Sequence, residues 1–220
     1  MALGLTLELR READDIWKMI FEHPFVIELY TGVLPIEKFK YYLIQDYNYL
    51  VTMAKCFSLI SAKSEYEISR IALELAYLDA ITEMSNYEKI LEKIGLRLRD
   101  VLEIEPAPTN VAYMSFLLST CALANPIEAL ISLLPCFWSY MEIAEKHRDK
   151  LANNRNDLYV QWAQVYLSKE YRDLVERLRK VIDDNSHRVD RKTARYLFIT
   201  ASRFEYMFWD MSYKMEKWIV

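Results

Sequence analysis

The chain has 220 residues, including three glycines and six prolines, and its formal net charge is −4. Glycine and proline make up about 4% of it, against roughly 12% in average soluble proteins, so all-β and α/β folds, which need many chain reversals, are not expected. Hydrophobic residues at 53% and charged residues at 27% exclude intrinsic disorder. The composition predicts one all-α domain over residues 1–220.

The few prolines and glycines divide the first half of the chain into predicted helices. These helices are expected over residues 12–21, from His23-Pro24 to about Gly32, from Pro35 to about Ala62, and from Glu67 to Ile94. The segment 100–110 contains two prolines and is predicted to be a loop.

In the second half, Thr109 or Asn110 is expected to cap a helix that ends near Leu123. Asn125-Pro126 is expected to start the next helix. The polar stretches 148–157 and 183–190 are predicted to be connections, and a last helix is predicted over residues 191–217.

The cysteine content and the charge distribution indicate the compartment and the partners. Three cysteines cannot all pair within one chain, and residues 1–10 do not resemble an export signal, so a cytoplasmic protein with free thiols is expected. Residues 111–141 contain only one charged residue, Glu128, but Asn125-Pro126 divides them. They are therefore interpreted as two helices buried in a soluble core, with no membrane partner. The acidic balance predicts no nucleic-acid partner.

Two carboxylates are predicted on apolar helix faces. Asp46 lies three and four residues from apolar side chains on both sides, and Glu205 has the same position in the last helix. Burial raises the pKa of a carboxyl group, which suits a proton donor near neutral pH. Each residue could instead be structural: Asp46 could bond to tyrosines, and Glu205 could pair with Arg203 or Lys214 at a surface.

Cys136 follows Pro135 inside a predicted helix, and an interior proline is expected to kink that helix. Tyr140 is four residues further on and shares the face of Cys136. The thiol could be a packed small hydrophobe or a nucleophile, and the spacing alone favours packing. Cys56 and Cys121 are predicted to be core residues.

The chain has sixteen tyrosines, several of them near the apolar stripes, which suggests a cavity for a planar polar ligand. It contains no glycine-rich phosphate loop, no nucleotide-binding fingerprint and no paired cysteines for zinc. None of its three histidines has the Glu-x-x-His spacing of di-iron proteins. No cofactor and no metal site are therefore expected.

Four segments contain the motifs QDY-x-Y, LLPC-x-W-x-Y, W-x-x-x-Y and E-Y-x-F-W, in that order along the chain. They are HPFVIELYTGVLPIEKFKYYLIQDYNYL (23–50), LLPCFWSYMEIAEK (133–146), WAQVYLSKEY (162–171) and FEYMFWDMSYKMEKW (204–218). In order and spacing they resemble the TenA family, the thiaminase II or aminopyrimidine aminohydrolase proteins. The resemblance implies an all-α, haem-oxygenase-like fold without haem, assembled as a homotetramer.

The resemblance also implies a role for each matched residue, and Cys136 implies the cysteine-containing branch of the family. The implied catalytic residues are Cys136, Glu205 and Asp46; the implied substrate-binding residues are Asp46, Tyr49, Tyr113, Tyr140, Tyr166 and Phe208. Asp46 would orient the pyrimidine, the Cys136 thiolate would add to a ring carbon, and Glu205 would act as acid and then as base. The reaction would release ammonia from an aminomethylpyrimidine, or the thiazole from thiamin, in thiamin salvage.

Two other functions remain open. One is an oxidase that makes pyrroloquinoline quinone on the same scaffold, although a chain with only three histidines lacks the clusters that its anionic ligand would need. The other is a pyrimidine-binding or regulatory helical protein without turnover.

Overall fold

The computed structural model of the chain describes residues 4–78, 80–81 and 84–219, and these residues form helices and connections without a strand. The all-α prediction is confirmed. The chain divides into two compact units: the first contains the residues up to Leu34 together with Ile127–Asp210, and the second contains Pro35–Pro126 together with the residues from Met211. The prediction of a single domain over residues 1–220 stays a prediction.

The helices of the described residues are labelled in chain order. They are α1 (Leu5–Glu12), α2 (Asp14–Phe21), α3 (Pro24–Thr31), α4 (Ile36–Ala62), α5 (Tyr66–Leu78), α6 (Met84–Lys93), α7 (Leu98–Leu102), α8 (Pro108–Leu123), α9 (Pro126–Lys146), α10 (Arg148–Ala152), α11 (Asp157–Gln164), α12 (Lys169–Asp184) and α13 (Arg191–Lys214). Short 3-10 turns occur at Val165–Leu167 and Ser186–Arg188.

In the first unit, α3 begins and ends where the sequence predicts. The Nδ1 atom of His23 accepts the backbone N–H of Phe25 at 3.1 Å, and Pro24 occupies the first helical position. Gly32 ends the helix in the left-handed conformation with φ 86°. Proline is common at the start of a helix because it has no backbone N–H that needs an acceptor there. Glycine is common at the end because, without a Cβ atom, it adopts a positive φ at little cost.

The core of the first unit contains a stack of aromatic and cationic groups. The ring of Trp17 is parallel to that of Phe198 at 6.2 Å, and its Nε1 donates to Ser202 Oγ at 3.0 Å. The guanidinium group of Arg10 lies 4.0 Å from the Trp17 ring centroid and donates to Glu142 at 2.7 Å. These contacts connect α1, α2, α9 and α13 within this unit.

Helix α9 is long and apolar enough to span a membrane by length and composition, but 83% of its most apolar window is buried inside the protein. The asparagine-proline pair before it divides the apolar run into α8 and α9, as the sequence predicts. Its burial is that of a core helix.

In the second unit, α4 packs against α5 and α8. The hydroxyl of Tyr87 in α6 donates to the carbonyl of Leu43 in α4 at 2.7 Å. Cys56 and Cys121 are buried in α4 and α8, as predicted for core residues. The last turn of α13 also belongs to this unit.

Several helices of the first unit are not evident from the sequence. Helix α1 lies before the first predicted helix, and Asp183 of α12 holds it by accepting the backbone N–H of Thr6 at 2.8 Å and its hydroxyl at 2.9 Å. Helix α10 lies in a predicted connection, because five residues are too few to show an apolar period. Helix α13 ends at Lys214, three residues earlier than expected.

In the second unit, the described residues of the helix predicted from Glu67 to Ile94 are helical as far as Lys93. They are α5, residues 80–81 in a π-helical turn, and α6; residues 79, 82 and 83 lie outside the described residues. Two other predictions for this unit are wrong. The predicted loop 100–110 contains the end of α7 and the start of α8. Thr109 and Asn110 are not caps, because Ala107 is the N-cap and Pro108 starts α8.

Candidate active site

Cys136 lies in α9 of the first unit, directly after the interior Pro135. It is half-buried, whereas the other two cysteines, Cys56 and Cys121, are buried. Tyr140 lies one helical turn further on, so its side chain shares the helix face of Cys136. Cys136 is therefore the least buried of the three cysteines.

Four aromatic side chains of the first unit, Tyr140, Trp162, Tyr166 and Trp209, form what we call the aromatic cluster. The ring centroid of Tyr140 lies 4.9 Å from that of Tyr166 and 5.1 Å from that of Trp209. Trp162 lies 5.0 Å from Tyr166 and 6.0 Å from Tyr140. One aromatic surface beside the Cys136 face of α9 is thus formed by residues of α9, of α11, of the 3-10 turn Val165–Leu167 that follows α11, and of α13.

Tyr171 in α12 contacts one member of this cluster, Tyr166. Its ring packs edge-on against Tyr166 at 5.1 Å, and its buried hydroxyl donates to the carbonyl of Phe137 at 3.2 Å. That carbonyl belongs to the residue after Cys136, so Tyr171 contacts both the cluster and the backbone of α9.

Glu205 lies in α13 and is 3% exposed. Its burial argues against the alternative of a pair at the surface, where Arg203 is exposed. Phe208, one turn further on, is also 3% exposed. The apolar spacing in the sequence therefore predicts the side of α13 on which Glu205 lies.

His23 and Asp210 connect the start of α3 to α13. The Nε2 atom of His23 lies 3.7 Å from Asp210 Oδ1, and its ring packs edge-on against Tyr206 at 5.4 Å. Phe25, which follows in α3, lies 5.3 Å from the ring of Trp209. These contacts hold the segment of α13 that carries Glu205 and Trp209.

Asp46 lies in α4 of the second unit and is half-buried, so it is less enclosed than its apolar neighbours predict. Burial, with a smaller contribution from the negative charge of Asp46, raises the pKa of Tyr87. The carboxylate of Asp46 is thus close enough to Tyr87 to act on it electrostatically. A half-buried carboxylate can be ionised and still receive a donor from a ligand.

Tyr49 and Tyr113 form a ring pair in the second unit. Their centroids are 5.2 Å apart at an interplanar angle of 38°, and the residues are 5% and 1% exposed. Tyr49 lies one turn after Asp46 on α4, and Tyr113 lies in α8. The structure therefore brings together two residues that are separated by more than sixty positions in the sequence.

The structure places the sequence-derived residues in two groups. Cys136, Tyr140, Tyr166, Glu205 and Phe208 belong to the first unit; Asp46, Tyr49 and Tyr113 belong to the second.

Sequence analysis gives no role to Trp162 and Trp209, although both stand inside the quoted motifs, four residues before Tyr166 and directly after Phe208. It also misses Tyr171, at the end of a quoted segment, whose edge-on contact with Tyr166 depends on the packing of α12.

The profile of the TENA/THI-4/PQQC family matches residues 10–215. The chain therefore belongs to this family, as the motif order predicts. It is 33% identical to the "Aminopyrimidine aminohydrolase" of Bacillus subtilis strain 168 over 218 residues, covering 96% of this chain and 90% of that relative.

Solved structures agree with this assignment. A structure described as "TenA homologue protein from P.horikoshii OT3" is 48% identical, with a TM-score of 0.94 over 96% of this chain and 99% of the other. A domain of unknown function with a heme oxygenase-like fold from Shewanella denitrificans OS217 has a TM-score of 0.77 at 18% identity, over 98% of this chain and 94% of the other. The fold is therefore of the haem-oxygenase-like type.

Proposed function

We propose that the protein hydrolyses the aminopyrimidine moiety of thiamin or of its breakdown products, in thiamin salvage. Water and an aminomethylpyrimidine would give hydroxymethylpyrimidine and ammonia, and thiamin would give the same pyrimidine and the thiazole. Family membership and the name of the Bacillus subtilis relative support this reaction class.

The observation that carries the proposal is that Cys136 lies beside a cluster of aromatic side chains. The half-buried Cys136 lies on the helix face of Tyr140, which is in ring contact with Tyr166 and Trp209. A flat, electron-poor ring stacks on such a surface, and a thiolate is the strongest nucleophile among the side chains. This combination suits addition to an aromatic ring carbon.

In the proposed mechanism, the Cys136 thiolate forms a bond to a carbon of the pyrimidine ring. The electron pair that this adds to the ring then expels the group on the exocyclic methylene carbon, which is ammonia or the thiazole. Water adds to that methylene carbon, and the carbon–sulfur bond breaks to return the thiolate and hydroxymethylpyrimidine. No oxidant or reductant is required.

Glu205 is proposed to move the protons of the reaction. As a carboxylic acid it protonates the departing amine of an aminomethylpyrimidine, whereas the quaternary thiazolium nitrogen of thiamin leaves as the neutral thiazole and takes no proton. As a carboxylate it takes a proton from the attacking water in either case. Its 3% exposure supports this role, because few water molecules then compete with a bound substrate for the carboxyl group. Phe208, on the same helix, would contact the ring.

For the second unit, we propose that Asp46 accepts a hydrogen bond from the exocyclic amine or bonds a ring nitrogen. Tyr49 and Tyr113 would bind the same ring, a role that their mutual ring contact supports. A fixed carboxylate orients the ring and makes it more electrophilic. Substitution of Asp46 by asparagine should therefore raise KM and lower kcat together.

The experiment incubates the purified protein with an aminomethylpyrimidine or with thiamin and follows hydroxymethylpyrimidine by mass spectrometry. We expect the wild-type protein to release it, and Cys136→Ser and Glu205→Gln each to lower kcat/KM by about a hundredfold or more. Ammonia and the thiazole are measured in the same samples to close the balance.

Cys121→Ser is the matched control, because it makes the same substitution at a buried cysteine in α8. It should retain the wild-type kcat. If both Cys136→Ser and Glu205→Gln keep the wild-type kcat/KM, the proposed mechanism is wrong. Tight binding of the pyrimidine without any product would favour the non-catalytic alternative.

We further propose that the protein forms a homotetramer in the cytoplasm. Three large apolar side chains on one face of α5 support assembly, since Tyr66, Leu73 and Tyr77 are 76%, 56% and 63% exposed. They are seven and four residues apart and so follow one helix face. Such a row of exposed apolar residues is typical of a protein interface.

A further inference from the structure

A buried pair of amide side chains joins α4 to the start of α8 in the second unit. The Nδ2 atom of Asn110 donates to the backbone carbonyl of Gln45 at 2.7 Å and to its Oε1 atom at 3.1 Å. The same Oε1 atom accepts the backbone N–H of Ala107, the N-cap of α8, at 2.8 Å. Asn110 is 0% and Gln45 2% exposed. The pair therefore fixes one backbone position of α4 against the beginning of α8.

Three candidate substrate-binding residues adjoin this pair. The Gln45 carbonyl belongs to the peptide bond that leads to Asp46, so Asn110 holds that peptide directly. Tyr49 lies one turn after Gln45, and Tyr113 lies one turn after Asn110. Because residues three and four apart share a helix face, the amide pair and the tyrosine pair are successive layers of one contact between α4 and α8.

Asn110 forms these bonds while its own oxygen is left without a partner. Both Gln45 oxygens can only accept, so the NH2 group of Asn110 must face them. Its Oδ1 atom is then buried with no hydrogen-bond partner among the described residues. A buried acceptor without a partner is destabilising, and such exceptions in folded proteins call for an explanation. One explanation is that Asn110 is needed at this position to hold α4 and α8 at a fixed spacing, although its own oxygen then has no partner.

We propose that Asn110 and Gln45 are positioning residues: they set the spacing of Tyr49 and Tyr113 and the placement of Asp46, and thereby the fit of the pyrimidine ring. This inference rests on the proposed function. Both side chains are buried and bonded to each other, which leaves their effect on a bound ring to Asp46, Tyr49 and Tyr113. We therefore expect their loss to weaken substrate binding more than it slows the chemical step.

The first turn of α8 has a second, independent attachment. The carboxylate of Glu216 accepts the backbone N–H of Thr109 at 2.9 Å and its hydroxyl at 3.1 Å. Trp218 Nε1 donates to the carbonyl of Pro106 at 3.0 Å. We therefore expect variants of Asn110 to keep α8 attached to the second unit, which makes them suitable for a kinetic test.

The decisive variant is Asn110→Asp, which places a carboxylate oxygen where the NH2 group faced two acceptors. We expect KM to rise about tenfold or more while kcat changes less than about threefold. In a crystal structure of the variant, the centroids of Tyr49 and Tyr113 should be farther apart than 5.2 Å. This second readout needs no activity.

Asn154→Asp is the matched control, because Nδ2 of Asn154 likewise donates to two carbonyls, those of Leu29 and Tyr30, at 2.9 and 3.2 Å in the first unit. It should leave KM unchanged. If Asn110→Asp does not fold, Gln45→Met, which removes the shared acceptor at similar side-chain length, is judged by the same two readouts.

An unchanged KM, an unchanged ring distance or an equal rise of KM in Asn154→Asp would overturn the inference. A wild-type protein that does not convert aminopyrimidines would instead refute the proposed function. In that case the ring distance in the variant structure still decides whether Asn110 positions the two tyrosines.

Discussion

His147 is buried in the first unit with both ring nitrogens engaged. Its Nε2 atom lies 2.9 Å from the carbonyl of Phe21, and its Nδ1 atom lies 2.9 Å from the ammonium of Lys150. A carbonyl only accepts and an ammonium only donates, so Nε2 carries the proton and the ring is neutral. Burial and the charges of Lys150 and Lys146 lower the pKa of His147 from its usual 6.5, against the opposing effect of the Phe21 hydrogen bond.

The lowered pKa makes the stability of the protein sensitive to acid. As the pH falls below 6.5, the unfolded chain takes up a proton at this histidine before the folded protein does, so the free energy of unfolding decreases. His147→Gln keeps an N–H donor but does not titrate. We expect the stability of the wild-type protein to fall relative to this variant below pH 6.5, measured by urea unfolding over a pH series.

His187→Gln provides the control, because His187 is exposed. It makes the same substitution without removing a buried hydrogen bond. A wild-type protein and a His147→Gln variant with parallel profiles on both sides of pH 6.5 would contradict the assignment.

At the same residue scale, the sequence predicts which side of a helix a carboxylate occupies but not how deeply it is buried. Glu205 and Asp46 have the same apolar spacing, yet Glu205 is buried and Asp46 is half-buried. Spacing gives only the direction of a side chain from the helix axis. The exposed fraction of the side chain depends on which other helices pack against that face, and the local sequence does not give this information.

Among the helices, α3 shows how a single glycine can determine an end. Gly32 has φ 86°, and a Cβ atom there would lie 2.4 Å from Oδ1 of Asn154. Asn154 cannot move freely, because its Nδ2 donates to the carbonyls of Leu29 and Tyr30 in α3. A side chain at position 32 therefore meets both backbone strain and a steric clash.

We expect Gly32→Ala to lower the free energy of unfolding by more than about 2 kcal/mol, since left-handed backbone alone costs a non-glycine residue about 1 kcal/mol or more. Gly95→Ala is the matched control: φ is 74° there, but no atom lies within 4 Å of the new Cβ. It should cost only the conformational strain, about 1 kcal/mol. Equal losses for the two variants, measured by chemical unfolding, would mean that the Asn154 contact has no effect.

Helix ends that depend on proline and glycine could be predicted from the sequence, and those that depend on tertiary contacts could not. The start of α9 at Pro126 and the end of α3 at Gly32 are local effects. Asn110 is a residue type that often caps helices, but its side chain bonds to Gln45 instead. This bond depends on the packing of α4 on α8, which the local sequence does not show.

For the whole molecule, the scarcity of glycine and proline is enough to predict an all-α fold, since every sheet topology of this size needs more turns. The order of four motifs is enough to predict the family. The contact of Tyr49 with Tyr113 has no signal in composition or periodicity, because it arises from the packing of two helices distant in sequence. The family resemblance supplied those two residues.

The proposed tetramer is tested by light scattering, which should give four times the 26.2 kDa of one chain. Tyr77→Glu, in the exposed row of α5, should shift the mass toward smaller assemblies, because it buries a charge in an apolar interface. Met19→Glu, at a residue of α2 that is 51% exposed, is the control and should keep the wild-type mass. A monomeric wild-type protein would contradict the proposal.

The unequal exposure of the three cysteines has a practical consequence. Cys56 and Cys121 are buried, and Cys136 is half-buried. We therefore expect small reagents to react with Cys136 before the other two. A mild electrophile such as a chloroacetamide fragment would consequently modify the folded chain once, at α9, and intact-mass measurement would count the adduct. Fragment libraries of this kind could map which ring shapes fit beside Tyr140, and competition with candidate pyrimidines would rank them without any enzymatic assay.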